Sequence, residues 1–118
     1  MRVLVYGAST NPERYSFIAT NLLQSKGYEV VLVGHRKGQI NGVEIQTEWV
    51  HPFDIDTVTL YVGPKNQEGL LKYIQDLRPR RVIFNPGTEN DQLEKELMEL
   101  GIQVEEACTL VMLHTGQF

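Results

Sequence analysis

The chain has 118 residues, of which 42% are hydrophobic and 22% are charged, and its formal net charge is -4 at pH 7. This length and composition predict one globular domain over residues 1–118 and exclude a disordered chain, a collagen-like repeat and a coiled coil. The acidic balance argues against nucleic acid as a partner, and the lack of any apolar run of about 18 residues excludes a membrane-spanning helix.

The first half of the chain alternates between predicted strands and helices. Residues 3–6 form an apolar run ended by Gly7, which predicts a strand buried on both faces. Apolar residues at helical spacing follow and stop at Gly27. Residues 30–33 predict the second strand, and the Asn-Gly pair at 41–42 predicts a tight turn or a small hairpin.

The second half continues this alternation. Residues 58–62 predict a third strand, and Leu70, Ile74 and Leu77 recur on one face of a helix. Thr88 and Asp91 have the spacing of a capping box before another helix. The remaining elements are strand, helix, strand and helical segment, at residues 82–84, 93–100, 102–104 and 107–113.

Strands separated by helical crossovers predict an α/β domain with a parallel, doubly wound sheet. Right-handed crossovers give five strands in the order 3-2-1-4-5 with helices on both faces. In such a sheet a ligand binds beyond the carboxyl ends of the strands, where the strand order reverses. This rule places five loops around one crevice, at residues 7–16, 34–38, 63–66, 85–88 and 106–108.

Basic residues gather in these loops although the chain is acidic overall. Arg14, Lys65 and the run at residues 35–37 all fall at the expected ligand edge. The first helix also presents free backbone N–H groups near Tyr15, Ser16 and Phe17, which suit a phosphate. The loops therefore predict a site for a nucleotide or a polyphosphate.

The motifs narrow the choice of nucleotide. Ser9 and Pro12 stand where the dinucleotide fingerprint needs glycine, and the Walker A pattern is absent. The second strand ends in Gly34-His35-Arg36-Lys37 rather than in the acidic residue that binds the ribose of NAD. This basic run suits a ribose phosphate, as in NADP or coenzyme A (CoA), and the long loop at residues 11–14 favours CoA.

The most specific segment follows the first strand and reads Gly7-Ala8-Ser9-Thr10-Asn11-Pro12-Glu13-Arg14-Tyr15-Ser16. Together with Gly34-His35 and Asn85-Pro86-Gly87 it resembles the small CoA-binding-domain family, which is related to the N-terminal CoA-binding half of the succinyl-CoA ligase alpha subunit. The likeness extends from residue 3 to about residue 116.

The resemblance implies a Rossmann-like fold that holds CoA or an acyl-CoA across the strand ends. The residues that would hold the diphosphate are Gly7, Ser9, Arg14, Tyr15 and Ser16. Ala8 lies between Gly7 and Ser9 in the same motif and belongs to the expected site. Those that would lie near the ribose phosphate and adenine are His35, Arg36 and Lys37, which follow Gly34. The middle of the ligand would meet Val62, Gly63 and Lys65, and its pantetheine arm would meet Asn85, Pro86 and Gly87.

Residues suited to catalysis are sparse. The three histidines lie in separate segments without metal-ligand spacing, so neither a metal site nor a catalytic group is assigned. Glu105 and Glu106 are adjacent acids, which usually point in different directions into solvent. Cys108 is the only cysteine, and a single cysteine predicts that the protein is located in the reducing cytoplasm. Its side chain is either a small core residue or a partner for the CoA thiol.

Three functions remain open from the sequence. The first is a non-catalytic protein that binds CoA or acyl-CoA. The second is an NADP- or nucleotide-dependent enzyme or sensor, and the third is an interaction module that has no ligand. A homo-oligomer and a partner enzyme stay open as well.

Overall fold

The computed structural model describes all 118 residues. The strands are β1 (Arg2–Tyr6), β2 (Glu29–Val33), β3 (Gln39–Ile40), β4 (Val43–Gln46), β5 (Ile55–Leu60), β6 (Arg81–Phe84) and β7 (Gln103–Glu106). The α-helices are α1 (Tyr15–Ser25), α2 (Leu70–Leu77), α3 (Asp91–Glu99) and α4 (Thr109–His114), and a single 3-10 turn spans Pro64–Asn66. None of the helices has the length and apolar character needed to cross a membrane.

All strands join one sheet, in the order β3-β4-β2-β1-β5-β6-β7. Every neighbouring pair is parallel except β3 and β4, which form an antiparallel hairpin. The predicted α/β class with a mostly parallel sheet is therefore confirmed. The prediction of five strands in the order 3-2-1-4-5 is wrong.

The hairpin explains the difference in strand order. Asn41 and Gly42 have φ angles of 49° and 85°, as a tight hairpin turn requires, and the turn folds β3 back on β4. This places β4 beside β2, with Leu32 opposite Ile45. Since β4 fills that position, the strand predicted at residues 58–62 pairs instead with the free side of β1.

The core lies on both faces of the sheet because successive β1 side chains point to opposite sides. Leu4 packs in the cluster that contains the apolar residues of α2 and α3. Val3 and Val5 pack in the cluster that contains Leu23 of α1 and Leu113 of α4. The predicted helices on both faces are confirmed, and the loops that leave β1, β2, β5 and β6 meet at one edge.

Two boundaries differ from the sequence prediction. Strand β5 ends at Leu60, so the residues after it belong to a loop at that edge. Helix α3 is capped by Asn90, whose Oδ1 accepts the Leu93 N–H at 3.1 Å. The predicted cap, Thr88, instead donates its hydroxyl to the carbonyl of Asn85, because both residues belong to the turn before the helix.

Candidate functional site

A cavity of about 680 Å³ opens at the edge where β1, β2, β5 and β6 end. This size falls within the range of roughly 300–1,000 Å³ that small-molecule and cofactor sites occupy. The lining comes from the loops after these strands and consists of Gly7, Ala8, Ser9, Thr10, Asn11, Arg14, Tyr15, Ser16, His35, Arg36, Tyr61, Val62, Gly63, Asn66, Pro86, Gly87 and Thr88.

The structure brings most of the predicted site residues into this lining. They are Gly7, Ala8, Ser9, Arg14, Tyr15, Ser16, His35, Arg36, Val62, Gly63, Pro86 and Gly87. The lining residues that the sequence did not single out are Thr10, Asn11, Tyr61, Asn66 and Thr88. All of these except Tyr61 lie in loops predicted to surround the crevice, so their position after a predicted strand could have identified them as lining residues.

The other predicted site residues, Gly34, Lys37, Lys65 and Asn85, lie outside the lining. Lys37 and Lys65 are exposed, on the same loops as the lining residues Arg36 and Asn66. Gly34 and Asn85 contact the elements that carry the lining and are described below.

The first loop is held by hydrogen bonds within itself. The hydroxyl of Ser9 accepts the Asn11 N–H at 3.1 Å, and the side chain of Asn11 accepts the Glu13 N–H at 3.0 Å. The Asn11 carbonyl accepts the Arg14 N–H at 3.0 Å. These short turns bring the chain to Arg14 in an extended conformation at the start of α1.

Helix α1 begins beside the cavity without a side-chain cap. The N–H groups of Tyr15 and Ser16 have no hydrogen-bond partner within the protein, and both residues line the cavity. The prediction of a free N–H at Phe17 is wrong, because this group donates to the Arg14 carbonyl at 3.1 Å. Free N–H groups at a helix N-terminus carry partial positive charge and bind phosphates well. This end of the cavity therefore suits a phosphate group.

The charged side chains in the lining reinforce this preference. Arg14 and Arg36 are the only permanently charged lining residues, and His35 lies beside Arg36. The lining contains no carboxylate, although the chain carries 15 acidic residues. Burial raises the pKa of Tyr61 to about 12, so this lining phenol stays neutral. The cavity thus presents a positive surface to an anion.

Two glycines let the backbone approach closely at the base of the cavity. Gly7 has a φ angle of 99°, and a Cβ atom there would lie 3.0 Å from Cγ1 of Val62. At Gly34 a Cβ atom would clash with the carbonyl oxygen of Ala8. Gly34 therefore allows the loops after β1 and β2 to touch.

Gly34→Ala is expected to lower the free energy of unfolding by about 1–2 kcal/mol, because the added methyl overpacks a rigid backbone contact. Chemical denaturation measures this change. Gly63→Ala is the matched control, since its φ is -72° and its Cβ would lie at an ordinary 3.6 Å from the Gly87 carbonyl. Equal stability of the two variants would contradict the role given to Gly34.

Asn85 is buried under the cavity with 2% of its surface exposed. Its Nδ2 donates to Thr59 Oγ1 at 2.7 Å and to the Leu60 carbonyl at 2.8 Å. Its Oδ1 accepts the N–H of Thr109 at 2.9 Å. The sequence predicted that Asn85 faces the ligand, but its amide is used to join β5, β6 and α4.

Three carboxylates meet away from the lining, at the start of α3 and the end of β7. Ligand atoms of Asp91, Glu94 and Glu106 lie within 4.8 Å of one another and are the residues that could hold a cation. No spacing in the sequence singled them out. Glu94 is buried, and this burial, together with the nearby Glu106 and Asp91, raises the pKa of its carboxyl.

Glu94→Gln is expected to remove part of the pH dependence of stability. An acid whose pKa is raised by folding favours the folded state when protonated, so unfolding becomes easier as pH rises from the ordinary glutamate pKa through the raised value. Glutamine stays neutral and keeps an acceptor for the Asn90 N–H, which Glu94 binds at 2.9 Å. Denaturation at several pH values should show this slope in the wild type and in Glu99→Gln, an exposed control, but a smaller slope in Glu94→Gln.

Cys108 lies at the N-cap of α4 and is partly buried. It is not among the residues that line the cavity. Cys108 thus lies outside the cavity wall and directly precedes the buried Thr109.

The fold and the cavity together define a doubly wound α/β binding domain whose site suits phosphorylated ligands. The chain belongs to the CoA-binding-domain family, whose model matches residues 1–114. No curated protein matches the chain.

Solved structures share this fold. The crystal structure of an uncharacterized protein is 46% identical, with a TM-score of 0.97 and coverage of 99% of this chain and 97% of that chain. A Thermus thermophilus protein is 25% identical, with a TM-score of 0.86 and coverage of 99% and 90%. An acetyl-coenzyme A synthetase of Korarchaeum cryptofilum, solved with phosphate and ADP, is 17% identical at a TM-score of 0.73, and the match covers 90% of this chain and 25% of the synthetase. This last likeness concerns the fold alone.

Proposed function

We propose that this chain is a binding protein for CoA or an acyl-CoA, which it holds across the strand ends without catalysing a reaction. The observation that carries the proposal is the cavity of a CoA-binding-domain protein lined by two arginines and no carboxylate. In an acidic chain this distribution favours a ligand with several negative charges. Residues 1–118 act as one binding domain in this proposal, and the single cysteine supports a reducing cytoplasm as its location.

The phosphates of CoA fit two parts of the site. The N–H groups of Tyr15 and Ser16 and the guanidinium of Arg14 would hold the diphosphate, since both kinds of donor form charge-assisted hydrogen bonds with phosphate oxygens. Arg36, on the loop after β2, would bind the 3′-phosphate of the ribose. Lys37 follows it on the exposed rim and would add to the local positive potential.

The pantetheine arm fits the other end of the cavity. The loops after β5 and β6 contribute Val62, Gly63, Pro86 and Gly87, which are small or apolar. A slender chain of methylene and amide groups suits such a wall. The CoA thiol carried by this arm would remain the reactive group, and the protein would supply binding and orientation.

Calorimetric titration with CoA, 3′-dephospho-CoA and NADP tests the proposal. Binding of CoA that weakens when the 3′-phosphate is absent would support both the ligand and the place of Arg36. Binding of NADP alone would favour the nucleotide-dependent enzyme or sensor. Binding of none of the three would overturn the proposal and favour an interaction module.

A further inference from the structure

Two loops face each other across one end of the cavity. The parallel pairing of β5 and β6 stops at Leu60 and Phe84, and the chains then separate. A Cβ atom at Gly63 would lie in ordinary contact, 3.6 Å from the carbonyl oxygen of Gly87, so the two loops come close at these glycines. The end of the cavity bounded by residues 61–66 and 86–88 is called the slot.

One buried side chain joins the two loops. No backbone hydrogen bond connects residues 61–66 with residues 86–90. Gln67, with 5% of its surface exposed, donates its Nε2 to the Val62 carbonyl at 2.9 Å and to the Thr88 carbonyl at 2.8 Å. Both carbonyls belong to residues that line the cavity. The amide of Gln67 therefore links the two loops by hydrogen bonds.

The amide is itself held in place by the cap of α3. Asn90 donates its Nδ2 to Gln67 Oε1 at 2.8 Å, which fixes the orientation of the glutamine side chain. The Oδ1 of Asn90 accepts the Leu93 N–H, so the same side chain also anchors the helix. A continuous set of hydrogen bonds thus runs from the start of α3 to both sides of the slot.

We infer that Gln67 is a positioning residue that sets the width of the slot and thereby the preference of the site for a nucleotide with a slender, unbranched arm. This inference rests on the proposed function, in which the arm is pantetheine. Loops held at a fixed spacing lose little freedom when a ligand enters, which strengthens binding of the arm. The proposed phosphate contacts, at Arg14 and the start of α1, lie on another loop, to which Gln67 makes no hydrogen bond.

Titration of Gln67→Met with two ligands tests this role. The substitution keeps the length of the side chain and removes its hydrogen bonds. We expect the affinity for CoA to fall about tenfold, which corresponds to about 1.4 kcal/mol. 3′-Phosphoadenosine 5′-diphosphate has all three phosphates of CoA but no arm, and its affinity should change by less than about twofold, since contacts on separate loops contribute independently.

The chain offers a matched control and a second variant. Gln24 also bridges two segments, since it donates to the Ile40 carbonyl at 3.3 Å and accepts from Asn41 at 2.8 Å, away from the cavity. Gln24→Met should leave both affinities unchanged. Asn90→Asp keeps the acceptor that caps α3 but removes the donor to Gln67, so it should weaken CoA selectively even if Gln67→Met does not fold.

The outcomes separate this inference from the proposed function. Selective loss of CoA affinity in Gln67→Met or Asn90→Asp supports it. Equal loss of both ligands, or loss of neither, overturns the inference while CoA binding by the wild type leaves the proposed function intact. A wild type that does not bind CoA overturns the proposed function first, and the inference with it.

Discussion

Arg14→Ala is expected to weaken CoA binding about tenfold to a hundredfold, since a hydrogen bond to a charged group contributes roughly 1.5–3 kcal/mol. Arg14 is the N-cap residue of α1, lines the cavity and has no acidic partner among the ion pairs of the protein. Its charge is therefore available to a phosphate. Titration calorimetry at low and high ionic strength measures the effect, which should shrink as salt screens the interaction.

Arg78→Ala is the matched control for charge. Arg78 is exposed at the end of α2, far from the lining, and also forms no ion pair. Both substitutions make the net charge more negative by one, so a general electrostatic effect would weaken binding equally in the two variants. Equal affinities of Arg14→Ala and the wild type would contradict the assignment of the diphosphate to α1.

Asn85→Ala is expected to lower the free energy of unfolding by about 3 kcal/mol or more, because each buried polar group left without a partner costs roughly 1–3 kcal/mol. The substitution would remove the Asn85 hydrogen bonds to the Leu60 carbonyl and the Thr109 N–H, and it would also remove a donor to Thr59. These groups are buried, so water cannot easily replace the amide. Denaturant or thermal unfolding measures the loss.

Asn66→Ala serves as the comparison for this prediction. Asn66 is also an asparagine beside the cavity, but it is exposed and its side chain makes no hydrogen bond in the protein. Its replacement should change stability by less than about 0.5 kcal/mol, as is usual for surface substitutions. Similar losses of stability in the two variants would show that the hydrogen bonds of Asn85 do not stabilise the fold.

Much of the fold could be predicted because it depends on local patterns. Apolar runs such as residues 3–6 and 30–33 became β1 and β2, and the stripe of Leu70, Ile74 and Leu77 became the buried face of α2. The Asn-Gly turn was also predictable, since it requires two positive φ angles. The pairing of β4 with β2 could not be predicted, because pairing between distant strands leaves no periodic signal along the chain.

The candidate site likewise had features that the sequence predicted and features that it did not. Glycines and basic residues after the strands indicated the rim, and the charge of Arg14 and Arg36 could be placed there from topology alone. The sequence could not separate Asn85 from its neighbours Pro86 and Gly87, since all follow the same strand. The direction of the Asn85 amide depends on Thr59 and Thr109, which folding brings close.

The sequence by itself determined the class of fold, the edge of the sheet that carries the cavity and the positive charge of that edge, because these follow from hydrophobic periodicity and from which loops follow strands. Only the tertiary structure decided the strand order, the burial of Glu94 and the bridge that Gln67 makes between two loops. These features arise from contacts between residues far apart in the chain. Such contacts depend on packing in three dimensions and leave no mark on local composition.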